Sequence, residues 1–322
     1  VITTLEILGG FVLLLFGAEF LVRGAVALAR RLDVSPMVIG MTIVAYGTTA
    51  PELVVSVEAA LGGVPGIAVG NVVGSNIANI LLILGAASLV HPILCTPRVL
   101  FRDSSVMLGA AFLFVGLALT GTISRTQGIV MIAAIVCYSL YTYWAERRRG
   151  QTKDILEKEA EEFSEGPRSV WLALLAVIGG IVSVVVGARI LISGALTAAR
   201  YFGVGDEVIG LTLVAVGTSL PELATAMVAA WRRHTDVAIG NVIGANIYNV
   251  LAIMGVVSII SPLEIPEQIG RFDIWFMLAV TLALLVAVVA FKGVTRGVGG
   301  VFLGAYALYL MLQYYGLRAI GL

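Results

Sequence analysis

Long apolar runs, broken by short charged or Gly/Pro-rich stretches, fill the chain from end to end. They fall near residues 5–29, 36–60, 67–90, 104–120, 127–145, 170–199, 207–230, 237–260, 273–291 and 297–316. A helix crossing the hydrocarbon of a bilayer takes about 20 residues, so the pattern predicts ten membrane spans joined by connections too short for a separate soluble domain. The first run carries Glu19 and Arg23 and shows no small-residue cleavage site behind a short apolar core, so it reads as a span and not as a removed signal peptide. One extended polar stretch, ERRRGQTKDILEKEAEEFSEGPR at 146–168, divides the ten runs into two sets of five. The expected fold is an all-α integral membrane protein of ten transmembrane helices. Residues 1–145 and 170–322 form its halves, and 146–169 is a solvated tether between them.

Composition narrows the function. The 322 residues are 59% hydrophobic and only 12% charged, with a mean hydropathy of +1.03, far more apolar than a soluble domain, which excludes a soluble enzyme. The 20 basic and 20 acidic residues cancel, so no net field draws nucleic acid. The expected surroundings are the bilayer, with no obligatory protein partner. Cys95 and Cys137 are expected as free thiols. Basic residues crowd into alternate connections: Arg30 and Arg31, Arg98 and Arg102, Arg147 to Arg149 with Lys153, Arg232 and Arg233, then Lys292 and Arg296. The bias of Lys and Arg toward the cytoplasm places these connections and the central linker inside and both termini outside, in a multi-pass inner-membrane arrangement.

The most informative pattern is an internal duplication at a constant offset of 170 residues. Positions 12–92 match 182–262 at 35 of 81 residues, where chance in so biased a composition gives roughly a tenth. Agreement peaks where IGMTIVAYGTTAPEL (39–53) meets IGLTLVAVGTSLPEL (209–223), and where AVGNVVGSNIANILLILG (68–85) meets AIGNVIGANIYNVLAIMG (238–255). Five spans separate each residue from its copy. Five is odd, so the halves are expected to enter the membrane in opposite orientations, as transporters with inverted repeats do, with a site near the midplane on interrupted helices.

Glu52 and Glu222 fall in mid-span, where an ionisable group costs on the order of 3 kcal/mol and marks an ion pathway. Each follows a proline, Pro51 or Pro221, which cannot donate a backbone hydrogen bond and clashes with the carbonyl four residues back. A kink there turns nearby carbonyls, those of Ala45, Tyr46, Ala215 and Val216, toward a cavity. Thr48 and Thr218 lie four residues before each glutamate, and Thr49 and Ser219 three before, on the same helical face. Asn71, Ser75 and Asn79 make a polar stripe whose copies are Asn241, Ala245 and Asn249. Asn76 and Asn246, off the stripe, suit hydrogen bonds between helices, and Gly70, Gly74, Gly240 and Gly244 suit close helix packing. Two carboxylates with hydroxyl, amide and carbonyl oxygens and no soft ligand suit a hard cation, Ca²⁺ or Na⁺. Two glutamates neutralise one Ca²⁺, and when it leaves, monovalent cations or protons must replace it. His91 and His234 read as surface groups, Glu19 and Arg23 as an intrahelical pair, and Glu58 as outside the site. No phosphate loop or serine–base arrangement is evident and the protein is not expected to be an enzyme. No cofactor is expected either, only the transported ions.

GTTAPE with GNVVGSNIAN, and GTSLPE with GNVIGANIYN, resemble the two alpha repeats of the calcium/cation antiporter superfamily, and among its branches the prokaryotic sodium/calcium exchangers. The resemblance implies a core from the second, third, seventh and eighth spans and a loosely packed first and sixth pair that slides during alternating access. It implies that Glu52, Glu222, Thr48 and Thr218 form the calcium site and that the glutamates also meet sodium. The carbonyls of Ala45 and Ala215 and the hydroxyls of Thr49, Ser75 and Ser219 correspond to sodium ligands, and Asn79 and Asn249 to the middle position. Two departures stand out. Ala245 replaces the serine that would mirror Ser75, and Asn249 stands where some relatives carry Asp, which argues against potassium cotransport. The expected function is exchange of Ca²⁺ for Na⁺, with a proton/calcium exchanger on the same glutamates as the alternative. A passive channel has no need of inverted, interrupted repeats, and an intramembrane protease lacks its serine–histidine or paired aspartates.

Overall fold

The computed structural model describes residues 2–32, 34–94, 97–149, 169–201 and 215–313. Helix occupies part of every one of the ten apolar runs. In chain order the elements are α1 (Ile2–Arg31), α2 (Pro36–Thr48), α3 (Ala50–Leu61), α4 (Pro65–Val90), β1 (Ile93–Leu94), α5 (Pro97–Ala118), β2 (Thr122–Ile123) and α6 (Arg125–Arg149) in the first half. The second half contains α7 (Val170–Tyr201), α8 (Ala215–Thr218), α9 (Leu220–Trp231), α10 (Thr235–Ile260), β3 (Leu263–Glu264), α11 (Ile269–Phe291), β4 (Gly293–Val294) and α12 (Arg296–Met311). Among the described residues six of these helices are long and apolar enough to cross a membrane, and α2 with α3 meet the same test together as a pair bent by 43°.

Two expected boundaries move. Helix α6 continues to Arg149, four residues into the expected linker, and α5 begins at Pro97 instead of near 104. Charged residues at a helix end do not stop a helix whose backbone donors are already paired. The expected seventh span is described only from Ala215, and the linker only at its ends, residues 146–149 and Ser169, so 207–214 and 150–168 lie outside the described residues.

The duplication is written into the element boundaries. Helices α3 and α9, α2's last turn and α8, and β1 and β3 begin and end at positions 170 apart. The turn after α3 uses Gly63 at φ +77°, a left-handed conformation that glycine adopts freely; its copy, Arg233, takes φ +61° with a side chain. Packing repeats too. A Cβ on Gly128 would meet Ser258 and Gly255, and one on Gly299 would meet Ser88 and Gly85, so α6 docks on the end of α10 as α12 docks on the end of α4.

Helices α4 and α10 form the centre, with 72% and 78% of their most apolar stretches buried against 33% and 28% for α1 and α7. Those two outer helices cross backbone to backbone. A Cβ on Gly10 would lie 2.5 Å from Leu191 N, and one on Gly180 would lie 2.6 Å from Leu21 N. The first and sixth spans are therefore bound closely to each other, while far less of them than of α4 and α10 is buried. Their outer faces, Leu5, Phe11, Phe16, Trp171, Leu175 and Ile178 among them, are exposed, as suits lipid.

Two short antiparallel ribbons tie the halves together at the helix ends: β1 pairs with β4 and β2 with β3. Around the first, Arg296 donates to Val90 O at 3.3 Å and Thr235 to Leu94 O at 3.4 Å. Around the second, Arg125 donates to Ile260 O at 3.4 Å and Ile265 N to Gly121 O at 3.0 Å.

Candidate ion-binding site

The break between α2 and α3 falls at Thr49 (φ −80°, ψ 2°), and its copy Ser219 breaks α8 from α9 at φ −89°, ψ 8°. Pro51 and Pro221 sit in the first turn of the following helices, where their missing N–H costs nothing. The predicted kinks are present, and they put Glu52 and Glu222 in the first turn of α3 and α9, near the positive end of each helix dipole. Both are sealed from solvent, at 1% and 0% exposure.

The two repeats meet at this point. Ser219 Oγ donates to Glu52 Oε1 at 3.5 Å, and Thr48 Oγ1 donates to Asn241 Oδ1 at 3.3 Å. Asn71 Nδ2 donates to the Glu52 carbonyl at 3.2 Å and to Ser56 Oγ at 3.0 Å. Helix α3 packs on the turn that starts at Asn249, and α9 on the turn that starts at Asn79. Those turns, Asn79–Leu84 and Asn249–Ile253, are π-helical, a widening that frequently accompanies functional sites and that the residue pattern did not disclose.

Six oxygens of five predicted residues are buried with no hydrogen-bond partner: Glu52 Oε2, both carboxylate oxygens of Glu222, Thr218 Oγ1, Asn79 Oδ1 and Asn249 Oδ1. Native structures rarely leave buried acceptors unanswered. A set of acceptors contributed by both repeats is what a desolvated hard cation needs.

The other predicted residues are placed as follows. Thr49 Oγ1 donates to the Ala45 carbonyl at 2.7 Å, and Thr48 Oγ1 also reaches it, at 3.4 Å, so this carbonyl is held by the hydroxyls beside it. Ser75 is buried on α4, and Ala215 opens α8. Ala245 is fully buried and brings no hydroxyl opposite Ser75. Gly240 and Gly244 let α10 press on the backbone of Met37 and Met41 of α2, with a Cβ on Gly240 only 2.5 Å from Met37 O. Gly70 and Gly74 have no such contact among the described residues, and 207–211, the copies of 37–41, lie outside them.

Away from the site, Glu19 pairs with Arg23 as expected and also with Arg232, whose Nε lies 3.0 Å from Glu19 Oε2. His234 is half-buried beside them, not a surface group; burial together with Arg30 and Arg232 holds its pKa down at about 4. Glu58 is exposed on α3. Cys137 is free and exposed, and Cys95 lies outside the described residues. Two further buried carboxylates escaped the sequence reading. Asp103 pairs with Arg102 and accepts from Tyr138 at 3.4 Å, and Asp273 accepts from Tyr309 at 3.0 Å. Both stand within the first two turns of helices whose beginnings the apolar pattern reads as connections or span edges.

A membrane-spanning helical fold around a buried, two-sided cluster of hard oxygens defines an ion carrier. The sequence pattern of the sodium/calcium exchanger protein family matches residues 2–144 and 172–315, and the chain belongs to that family. It is 38% identical to a protein of Alkalimonas amylolytica named as an antiporter, CaxA, over 88% of this chain and 89% of that one. It is 35% identical to the inner membrane protein YrbG of Escherichia coli K12, over 98% and 97%. Among solved structures, the sodium-calcium exchanger NCX_Mj superimposes with a TM-score of 0.83 at 29% identity, covering 97% of this chain and 99% of the other. The protein is a prokaryotic calcium/cation antiporter, a multi-pass membrane protein.

Proposed function

We propose that the protein exchanges Ca²⁺ for Na⁺ by alternating access at a single midplane site between two inverted five-helix repeats. The observation that carries this reading is the set of six unpartnered buried oxygens drawn from Glu52, Glu222, Thr218, Asn79 and Asn249. Glu52 and Glu222 balance the charge of one Ca²⁺. Thr48, Thr218 and the two asparagine oxygens complete its shell. Sodium ions take the glutamates together with Thr49, Ser75, Ser219 and the carbonyls of Ala45 and Ala215 once the hydroxyls turn. Because calcium and sodium draw on the same carboxylates, each expels the other, and the negative pair is never left uncompensated in low dielectric. With Ala245 in place of serine, the sodium position opposite Ser75 is the weaker one.

The ribbons support the inverted topology. One joins the end of α4 to the connection between α11 and α12; the other joins the connection between α5 and α6 to the end of α10. Following α5 from the end of α4, and α11 from the end of α10, places the ribbons at opposite ends of the bundle, so α4 and α10 run in opposite directions. Arg296, in a connection expected inside, reaches Val90 beside another, Arg232 reaches Glu19 on α1, and Arg125, in a connection expected outside, reaches Ile260 at the end of α10. This grouping supports termini outside and a cytoplasmic linker, in an inner membrane such as the name of the Escherichia coli relative states.

The test is uptake of radiolabelled Ca²⁺ into proteoliposomes loaded with Na⁺, with K⁺ or with acid, at fixed voltage. Uptake that needs internal Na⁺ is the expected result. Uptake driven by acid without sodium would replace the coupling ion by the proton, and uptake indifferent to every counter-ion would overturn antiport.

A further inference from the structure

Asn76 and Asn246 lie off the polar stripe, and each is buried at the crossing of α4 and α10. Their contacts form a closed circuit that repeats across the two halves. Asn76 Nδ2 donates to the backbone carbonyl of Asn246 at 3.4 Å, and Asn246 Nδ2 donates to the backbone carbonyl of Asn76 at 3.3 Å. Asn249 Nδ2 donates to Asn76 Oδ1 at 3.0 Å, and Asn79 Nδ2 donates to Asn246 Oδ1 at 2.9 Å.

The polarity of this circuit has one solution. A backbone carbonyl only accepts, so the nitrogen of each inner amide must face it, which fixes the opposite end of that amide as the oxygen. That oxygen also only accepts, so Asn249 and Asn79 must each turn their NH₂ group inward. Their own oxygens are then left on the far side, and these are two of the six buried atoms with no partner. A side-chain amide offers a cation either a good ligand or a repelling N–H, depending on a half-turn of one bond. The inner asparagines remove that choice.

We infer that Asn76 and Asn246 are positioning residues that lock the amides of Asn249 and Asn79 with their oxygens toward the transported cation. This rests on the site proposed above and deepens it. Neither inner asparagine is a ligand in this arrangement, since both polar ends of each are committed to protein partners. The duplication supplies the lock twice, each half orienting the ligand of the other: Asn76 holds Asn249, and Asn246 holds Asn79.

The experiment compares Asn76→Ala in two backgrounds, native and Asn249→Asp, reading the Ca²⁺ concentration for half-maximal uptake separately from the maximal rate. In the native background the released amide of Asn249 can turn its NH₂ to the ion, and the half-saturating Ca²⁺ rises about tenfold. A carboxylate has two equivalent ends and needs no orientation. It also faces the fixed Asn76 oxygen with no proton to offer, so in the Asn249→Asp background Asn76→Ala leaves half-saturation unchanged or lowers it. A change of the same size and sign in both backgrounds, or none in the native one, would overturn the inference. The mirror set, Asn246→Ala with and without Asn79→Asp, serves if Asn76→Ala does not fold; if neither alanine variant folds, the residues are structural and the inference falls. Glu52→Gln and Glu222→Gln in the same assay keep the two readings apart. Transport that survives both removes the site itself, whereas transport lost there with no background dependence for Asn76 removes only the positioning role.

Discussion

Glu222→Gln should make the ion-free protein more stable while it destroys exchange. Glu222 is fully buried, and neither of its carboxylate oxygens has a hydrogen-bond partner. Glutamine keeps a carbonyl oxygen as an acceptor at the same position. It removes a desolvated charge that interacts with Glu52, and it brings an NH₂ group to a neighbourhood where Glu52 Oε2 lacks a donor. At a pH where the ion-free carboxyl is ionised, relief of the buried charge stabilises by up to about 2 kcal/mol, or roughly 4 °C in melting temperature for a chain of this size. Calcium binding moves the other way. Losing one of two carboxylates that balance a buried dication costs about 3 kcal/mol or more, above a hundredfold in affinity. At a Ca²⁺ concentration about a hundred times the native dissociation constant, binding stabilises the native protein by about 2.7 kcal/mol, and the variant by about 0.4 kcal/mol at most. The assay is thermal unfolding of purified protein in detergent, in chelator and then in Ca²⁺. The expected result is a variant that melts higher than native in chelator and does not respond to Ca²⁺. A variant that melts lower in chelator, or keeps the native Ca²⁺ shift, would show that Glu222 serves the fold and not the ion.

Gly244→Ala should destabilise by about 1 to 3 kcal/mol, because the added methyl collides with the backbone oxygen of Met41, which cannot swing aside; an unchanged melting temperature would mean that α10 does not press on α2. Acid should weaken the fold at the Glu19, Arg30, Arg232 and His234 cluster. The pKa of His234 is held at about 4, below its ordinary 6.5, so the unfolded chain binds a proton that the folded one refuses. Stability is whole above about pH 6.5 and is lost as pH falls toward 4, on the order of 2 kcal/mol for so incompletely buried a group. Melting temperatures at pH 7 and pH 5 in the native protein and in His234→Asn measure it, and an equal drop in both would assign the acid sensitivity elsewhere.

Much of this was legible in the residues because the membrane punishes accidents. A carboxylate in mid-span is expensive, so Glu52 and Glu222 stood out, and Pro51 and Pro221 announced the breaks at Thr49 and Ser219 that the backbone confirms. Packing glycines at Gly240 and Gly244 were readable from spacing alone. What the pattern concealed depends on partners distant in sequence. The π-helical turns at Asn79 and Asn249 leave no compositional trace, since the sequence there continues the helix. Asp103 looked like part of a connection because hydropathy registers its charge and not Tyr138, 35 residues away, that receives it. The close embrace of α1 and α7 is carried by Gly10, Gly17, Gly180 and Gly187, glycines scattered through ordinary apolar runs.

The two halves are copies in sequence but not in chemistry at the centre, and the differences fall on one line. Asn71 donates to the Glu52 carbonyl and to Ser56, whereas Asn241 accepts from Thr48 and its nitrogen has no partner. Ser56 has Ala226 as its copy, and Ser75 has Ala245, so the second repeat lacks both hydroxyls. Glu52 accordingly has Ser219 and the Asn71 framework around it, while Glu222 has no partner on either oxygen. Protein contacts answer one carboxylate in part, and in the proposed exchange the other is left for the cation to answer. On the exchange proposed above, the hydroxyls absent at Ala226 and Ala245 leave the second repeat with fewer oxygens for a monovalent ion, so its carboxylate relies more on the ion that both repeats share.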